Sequence, residues 1–245
     1  MATKSLSGNK DAGWRQIYVI AGWAAIISAI LYVGDIIVIT TQGPLFETAD
    51  QFFSAFQSDR LAGILQLFLT DLYGTLLFIP IAIALYATLK DTNFGYATLA
   101  TVGGLIGVTA TLATNMGYTM IAIGEKYATA TEAQGAGLLA VADSLISASF
   151  HGTSFLVAGF LFEGALLIFS LLMLRNPSFS RWLAYLGILA HGLDVLHFAS
   201  ALILIPAVGT AFADSIAVPF LAIGGTLQLI WYPWVGWRLL KIARE

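Results

Sequence analysis

The sequence predicts an all-α, polytopic membrane protein: a bundle of six transmembrane helices, amino and carboxyl ends both cytoplasmic, with short interfacial helices in the outer loops. Three observations carry this. First, 58% of the 245 residues are hydrophobic and only 10% are charged, against about 25% charged in ordinary soluble domains. A water-soluble chain of that composition would expose too much apolar surface, so lipid is the solvent for much of it. Second, six apolar runs each reach the roughly 20 residues that a spanning helix needs. They are continuous and lack the period-two alternation of a membrane β-barrel. Third, the basic residues collect on one side of those runs, as cytoplasmic loops require.

The spans fall near 14–41, 59–89, 93–124, 150–174, 180–207 and 215–241. Residues 1–13 read as a cytoplasmic tail, 14–241 as a single transmembrane domain and 242–245 as a second tail. The first run is too long for a signal-peptide core and no small-residue cleavage site follows it, so it reads as an uncleaved span. Lys4, Lys10, Arg15, Lys90, Arg175, Arg181, Arg238, Lys241 and Arg244 then lie inside, and only Arg60 and Lys126 outside. The outer connections are acidic, with Glu47, Asp50, Asp59, Glu125, Glu132, Asp143 and Asp214. Trp14, Trp182, Trp234 and Trp237 fall at the inner interface, where an aromatic belt belongs. The expected location is a bacterial-type cytoplasmic (inner) membrane.

The loops differ in character. The inner ones are short: Lys90 to Asn93, and Arg175 to Ser180. The first outer one, Pro44 to Ser58, sets Phe46, Phe52, Phe53 and Phe56 among acids, the pattern of a helix lying in the interface. Thr131 followed by Gln134 is a capping-box pattern before Leu138, Leu139, Leu145 and Ile146. That stretch is either a second interfacial helix or an extension of the fourth span.

Several function classes fall away. A net charge of −3 and the lack of a basic stripe argue against nucleic acid as a partner. With no cysteine there are no disulfides, thiolate metal sites, iron–sulfur clusters or thiol chemistry. No lysine follows a glycine, so there is no Walker A loop; HExxH and G-x-G-x-x-G are also missing. Gly152-Thr153-Ser154 lacks the closing glycine of a nucleophile elbow.

What remains is polar chemistry inside the membrane. A charge at bilayer depth costs about 2.5–3.5 kcal/mol on insertion scales, so such side chains face protein or water and mark function. Here they are Asp35, Asp71, Glu163 and Asp194, with His191 and His197. Counting at about 1.5 Å per residue from the inner basic anchors puts Glu163, His191, Asp194 and Gln228 near the midplane. By the same count Asp35, Asp71 and Asn115 lie toward the outer leaflet, with His197 between the two layers. Helical phase turns these groups inward. Ala184, Gly187, His191, Asp194, Phe198 and Ala201 recur at three- and four-residue steps on one face. Gly22, Ala25, Ser28, Tyr32 and Asp35 do so in the first span, Gln66, Thr70 and Gly74 in the second, and Gly159, Glu163 and Ser170 in the fourth. Gly103 and Gly107 read as the close-packing pair of the third. Pro80 and Pro233 free the carbonyls of Leu76 and Leu229.

Three functions fit such a cluster. The leading one binds or moves a small solute or protons through Asp194, Glu163, His191 and Gln228, opening outward past His197, Asp71 and Asp35. Acid–histidine chains mark proton paths, and histidine changes charge near neutral pH. The second is an intramembrane metal-dependent hydrolase or oxidase acting on lipid, with His151, His191 and His197 as ligands and Ser147 as an accessory group. The third is a non-catalytic subunit of a membrane complex, its buried acids only fastening helices together. No cofactor is strongly implied, and a homodimer is compatible with so few spans.

Two resemblances bear on this choice. Ser147-x3-His151 with the later His191 and His197 resembles the intramembrane zinc hydrolases of the alkaline ceramidase and adiponectin-receptor superfamily. Those use seven spans and a late histidine-x3-histidine. Here the late histidines are six apart and point about 120° from one another on an ideal helix, which suits one metal poorly. The stretch Asn176-Pro177-Ser178-Phe179-Ser180-Arg181-Trp182-Leu183-Ala184-Tyr185-Leu186-Gly187, followed by Asp194, resembles the bacterial membrane family catalogued as domain of unknown function 4386. This chain departs from it with Ala184 where glycine is common, and with His191 and His197 around the acid. The resemblance spans most of 14–241 and implies a six-span fold, without an activity to carry over.

Overall fold

A computed structural model describes residues 3–42, 46, 48–65 and 69–245. Among them are ten helices and no strand. The long ones are α1 (Thr3–Gln42), α4 (Leu69–Leu89), α5 (Phe94–Thr114), α8 (Thr153–Met173), α9 (Arg181–Val208) and α10 (Thr210–Ile242). The shorter ones are α2 (Ala49–Ser58), α3 (Arg60–Leu65), α6 (Gly117–Tyr127) and α7 (Glu132–His151). Six segments are long and apolar enough to cross a bilayer.

Each long helix packs on its neighbours in sequence, and α10 closes on α1, so the six form a ring in chain order. The packing is close because small residues sit at the crossings. A Cβ on Gly22 would lie 2.9 Å from the carbonyl oxygen of Gly236, and one on Gly236 would strike the carbonyl of Gly22. This reciprocal contact seats α1 against α10. On α5 a Cβ at Gly107 would meet the Ala158 carbonyl at 2.8 Å, and one at Gly104 would meet Phe78 and Ala165. Gly103 faces nothing within 4 Å. The expected Gly103–Gly107 pair is therefore corrected to Gly104 and Gly107, a face that reaches both α4 and α8. The apolar core between the helices holds Phe78, Leu85, Leu166, Phe169, Trp231 and Tyr232.

The third span differs from the expected single helix, and the open question at the fourth is resolved. The third is broken at Asn115 and Met116, between α5 and α6. Asn115 leaves the helix with an extended backbone, and its side-chain oxygen accepts from the Gly117 N–H at 3.0 Å, which starts the next helix. The fourth is preceded by α7, a helix in its own right. Thr131 and Gln134 form the capping box at its start, and extended Gly152 divides it from α8. The second span is described as α3 and α4 on either side of 66–68, so Gln66 lies outside the described residues.

At the end of the bundle away from both termini, α2, α6 and α7 pack on one another. Phe52, Phe53 and Phe56 of α2 are buried against Met120, Ile123, Ala142 and Ile146. The phenylalanine face of α2 is thus covered by protein. Phe53 stacks on Tyr127 at 4.3 Å between ring centroids. The Asp143 carboxylate accepts from the Ala49 N–H at 2.6 Å, placing an acid on the amino end of α2, where helix dipole and free N–H groups favour it.

At the opposite end the connections are tied together. Asn176 donates to the Thr88 carbonyl at 3.1 Å and to the Thr92 hydroxyl at 2.8 Å, while its own oxygen accepts from the Ser178 N–H. The Ser178 carbonyl accepts from Arg238. Phe179 is buried, and Ser180 caps α9 by accepting from the Leu183 N–H. The Asn176–Ser180 motif therefore joins three parts of the chain.

Candidate functional site

The buried polar side chains converge where α8, α9 and α10 meet. The face of α9 predicted from spacing is the buried one, with Ala184, Gly187, His191, Asp194, Phe198 and Ala201 all turned inward. From α8 comes Glu163 and from α10 Gln228; none of the four polar groups is more than 6% exposed. His191 Nδ1 lies 2.8 Å from Glu163 Oε2. The Gln228 amide nitrogen donates to Asp194 Oδ2 at 2.5 Å and to Glu163 Oε2 at 3.4 Å. One amide thus bridges two carboxyl groups, and one of those carries the imidazole. The result is a single hydrogen-bonded chain across three helices: His191, Glu163, Gln228, Asp194.

The walls of this cluster are shaped by glycine and tryptophan. A Cβ on Gly224 would fall on Asp194 Oδ1 and lie 2.8 Å from the Ala190 carbonyl, so α10 approaches the acid only through a glycine. Trp231 stands edge-on to His191, ring centroids 4.5 Å apart. Gly187 leaves room for the Ser170 hydroxyl and the Trp231 indole nitrogen together. Spacing reasoning missed Gly224 and Trp231, although they lie four residues before and three after Gln228, on its face of the helix.

Three atoms in this volume are buried without a hydrogen-bond partner among the described residues: His191 Nε2, Asp194 Oδ1 and Trp231 Nε1. When His191 Nδ1–H donates to Glu163, its Nε2 is an acceptor. The site then presents two acceptors and one donor. Leaving a buried polar group unpaired costs about 1–3 kcal/mol, so these three atoms set the cluster apart from the apolar core around it.

Of the remaining expected site residues, His197 turns to a different partner. His197 is buried, but its Nδ1 lies 2.9 Å from the Ala217 carbonyl, and its ring packs on Phe198. Phe198 fills the space over Gly159. Asp35 is buried on α1. Asp71 lies in the first turn of α4, with its side chain outside the described residues, as is that of His151. Among the described residues no three His, Asp or Glu side chains come together as metal ligands would.

A closed ring of six apolar helices, with a buried acid–histidine–amide chain where three of them meet, defines a multi-pass α-helical membrane protein. The chain belongs to the family described as Domain of unknown function (DUF4386), whose model matches residues 17–240. No curated protein and no solved structure matches it.

Proposed function

We propose that this protein binds and exchanges protons, together with a small polar solute, at the His191–Glu163–Gln228–Asp194 chain. The observation that carries the reading is the amide bridge between two buried carboxyl groups, with three unpaired polar atoms beside it. Two carboxylates so close in a membrane interior cannot both stay charged without compensation, and the imidazole of His191 is bonded to one of them, Glu163. Taking up or giving off a proton there changes the charge of the whole chain. Because Gln228 can turn its amide, the same event changes which donors and acceptors a guest meets. In this proposal the protein sits in a cytoplasmic membrane with both termini inside, the site reached from the outer end.

Trp231 reports on this site, since its ring lies against His191. The difference in fluorescence between wild type and Trp231→Phe, followed from acid through alkaline pH, should titrate, since a buried, mutually bonded acid–histidine cluster need not ionise in the range of the free groups. Asp194→Asn should keep the fold and abolish the titration. An unchanged profile in that variant would remove Asp194 from the mechanism, and a flat profile in wild type would leave the cluster as a helix fastener only.

A further inference from the structure

At the end of the bundle that carries both termini, the start of α1 and the end of α10 frame a groove of about 960 Å³. Trp14, Arg15 and Ile20 line it on one side, and Ile242, Arg244 and Glu245 on the other. Among the described side chains its positive charge is in excess. Glu245 is taken by Arg238, whose Nη1 lies 2.9 Å from the carboxylate, while Arg15 and Arg244 make no ion pair among the described residues. Lys90 adds a further cation 5.8 Å from the Trp14 ring centroid. Below this basic mouth the outer face of α1 continues as an exposed apolar track through Val19, Ile20, Trp23 and Ile27.

A cationic mouth above an apolar track running along a spanning helix has the two-part chemistry of one ligand. We infer that the groove is a binding site for an anionic phospholipid, its phosphate between Arg15 and Arg244 and an acyl chain along α1. A free anion would use only the mouth, and a zwitterionic lipid would bring its own cation against two arginines. Trp14, at the lip, suits the level of the glycerol backbone, where amphipathic rings sit. The site is at the far end of the molecule's polar chemistry and does not depend on what the central cluster does.

The test uses the full-length protein in detergent, with lipid removed and then phosphatidylglycerol or phosphatidylcholine added in equal amounts, and retention read by native mass spectrometry. Wild type should retain phosphatidylglycerol preferentially, with millimolar inorganic phosphate unable to displace it. Arg15→Gln with Arg244→Gln should lower that retention by about twenty-five-fold, since each basic group near a membrane surface contributes close to a factor of five. Arg181→Gln, on the same end but outside the groove, should not. Equal retention of the two lipids, full retention by the double variant, or displacement by phosphate alone would each overturn the inference. Quenching of Trp14 by brominated phosphatidylglycerol, taken as wild type minus Trp14→Phe, reads the same site without charge variants. It should exceed quenching by brominated phosphatidylcholine, and equality again counts against the site.

Discussion

Gln228 is the residue on which the central cluster turns, because its amide hydrogens reach carboxyl groups from two helices. Gln228→Leu keeps the approximate volume and removes both donors. The two carboxyl groups then face each other over an apolar side chain, and the variant should lose about 1–3 kcal/mol in reversible denaturation in mixed micelles. Gln228→Glu should behave differently, restoring stability as the medium is acidified, since a protonated carboxyl can donate where a carboxylate cannot. A quieter pair lies at the opposite extreme of burial. The hydrogen bond from Arg238 holds the Glu245 carboxyl below its ordinary value of 4.5. A folded value that is depressed contributes stability above the unfolded value, and loses it as pH falls through the folded one. Glu245→Gln should therefore be slightly less stable than wild type at neutral pH, with the difference gone in acid, as thermal melts at both ends of that range would show.

At the scale of the helix, close approach is decided by which face a glycine occupies. Gly107 lies against the backbone of α8 and Gly103 against nothing, although both read from spacing as one packing pair. Gly107→Val should force α5 from α8 and cost about 1–3 kcal/mol, while Gly103→Val should leave stability nearly unchanged. Comparing their melting in the same detergent separates the two faces. Gly209 joins α9 to α10 as a single residue with φ +84, a conformation that only glycine adopts readily. Gly209→Ala should cost about 1–3 kcal/mol. The breaks at Asn115 and Gly152 have a local origin too, in an Asn that caps the next helix and a Gly that takes an extended backbone. The break at Asn115 was not visible in hydropathy, because it lies within a continuous apolar run, whereas the division near Gly152 was one of the two alternatives that the sequence left open. The capping box of Thr131 and Gln134, by contrast, was plain from four residues.

For the whole molecule, orientation is the property with the cleanest test, since the chain contains no cysteine to confuse labelling. With the proposed topology, Thr129→Cys, exposed between α6 and α7, should react with an impermeant maleimide added to intact cells. Asp91→Cys, exposed between α4 and α5, should react only after the membrane is opened. The reverse pattern would invert the protein and move the anionic-lipid groove to the outer leaflet.

By itself the sequence determined that the chain crosses a membrane six times as helices, because apolar length is a property of each segment against lipid and needs no neighbour. It also determined which face of α9 is buried, because residues that must leave lipid betray their phase. Tertiary structure alone decided that Glu163 holds His191, that Gln228 bridges to Asp194, and that His197 turns away to a backbone carbonyl. Those pairings depend on the relative depth and rotation of three helices, set by contacts such as Gly224 against Asp194 that lie far apart in the chain. The same holds for the phenylalanines of α2. An amphipathic helix can lay its apolar face on lipid or on protein, and only the presence of α6 and α7 beside it settled which.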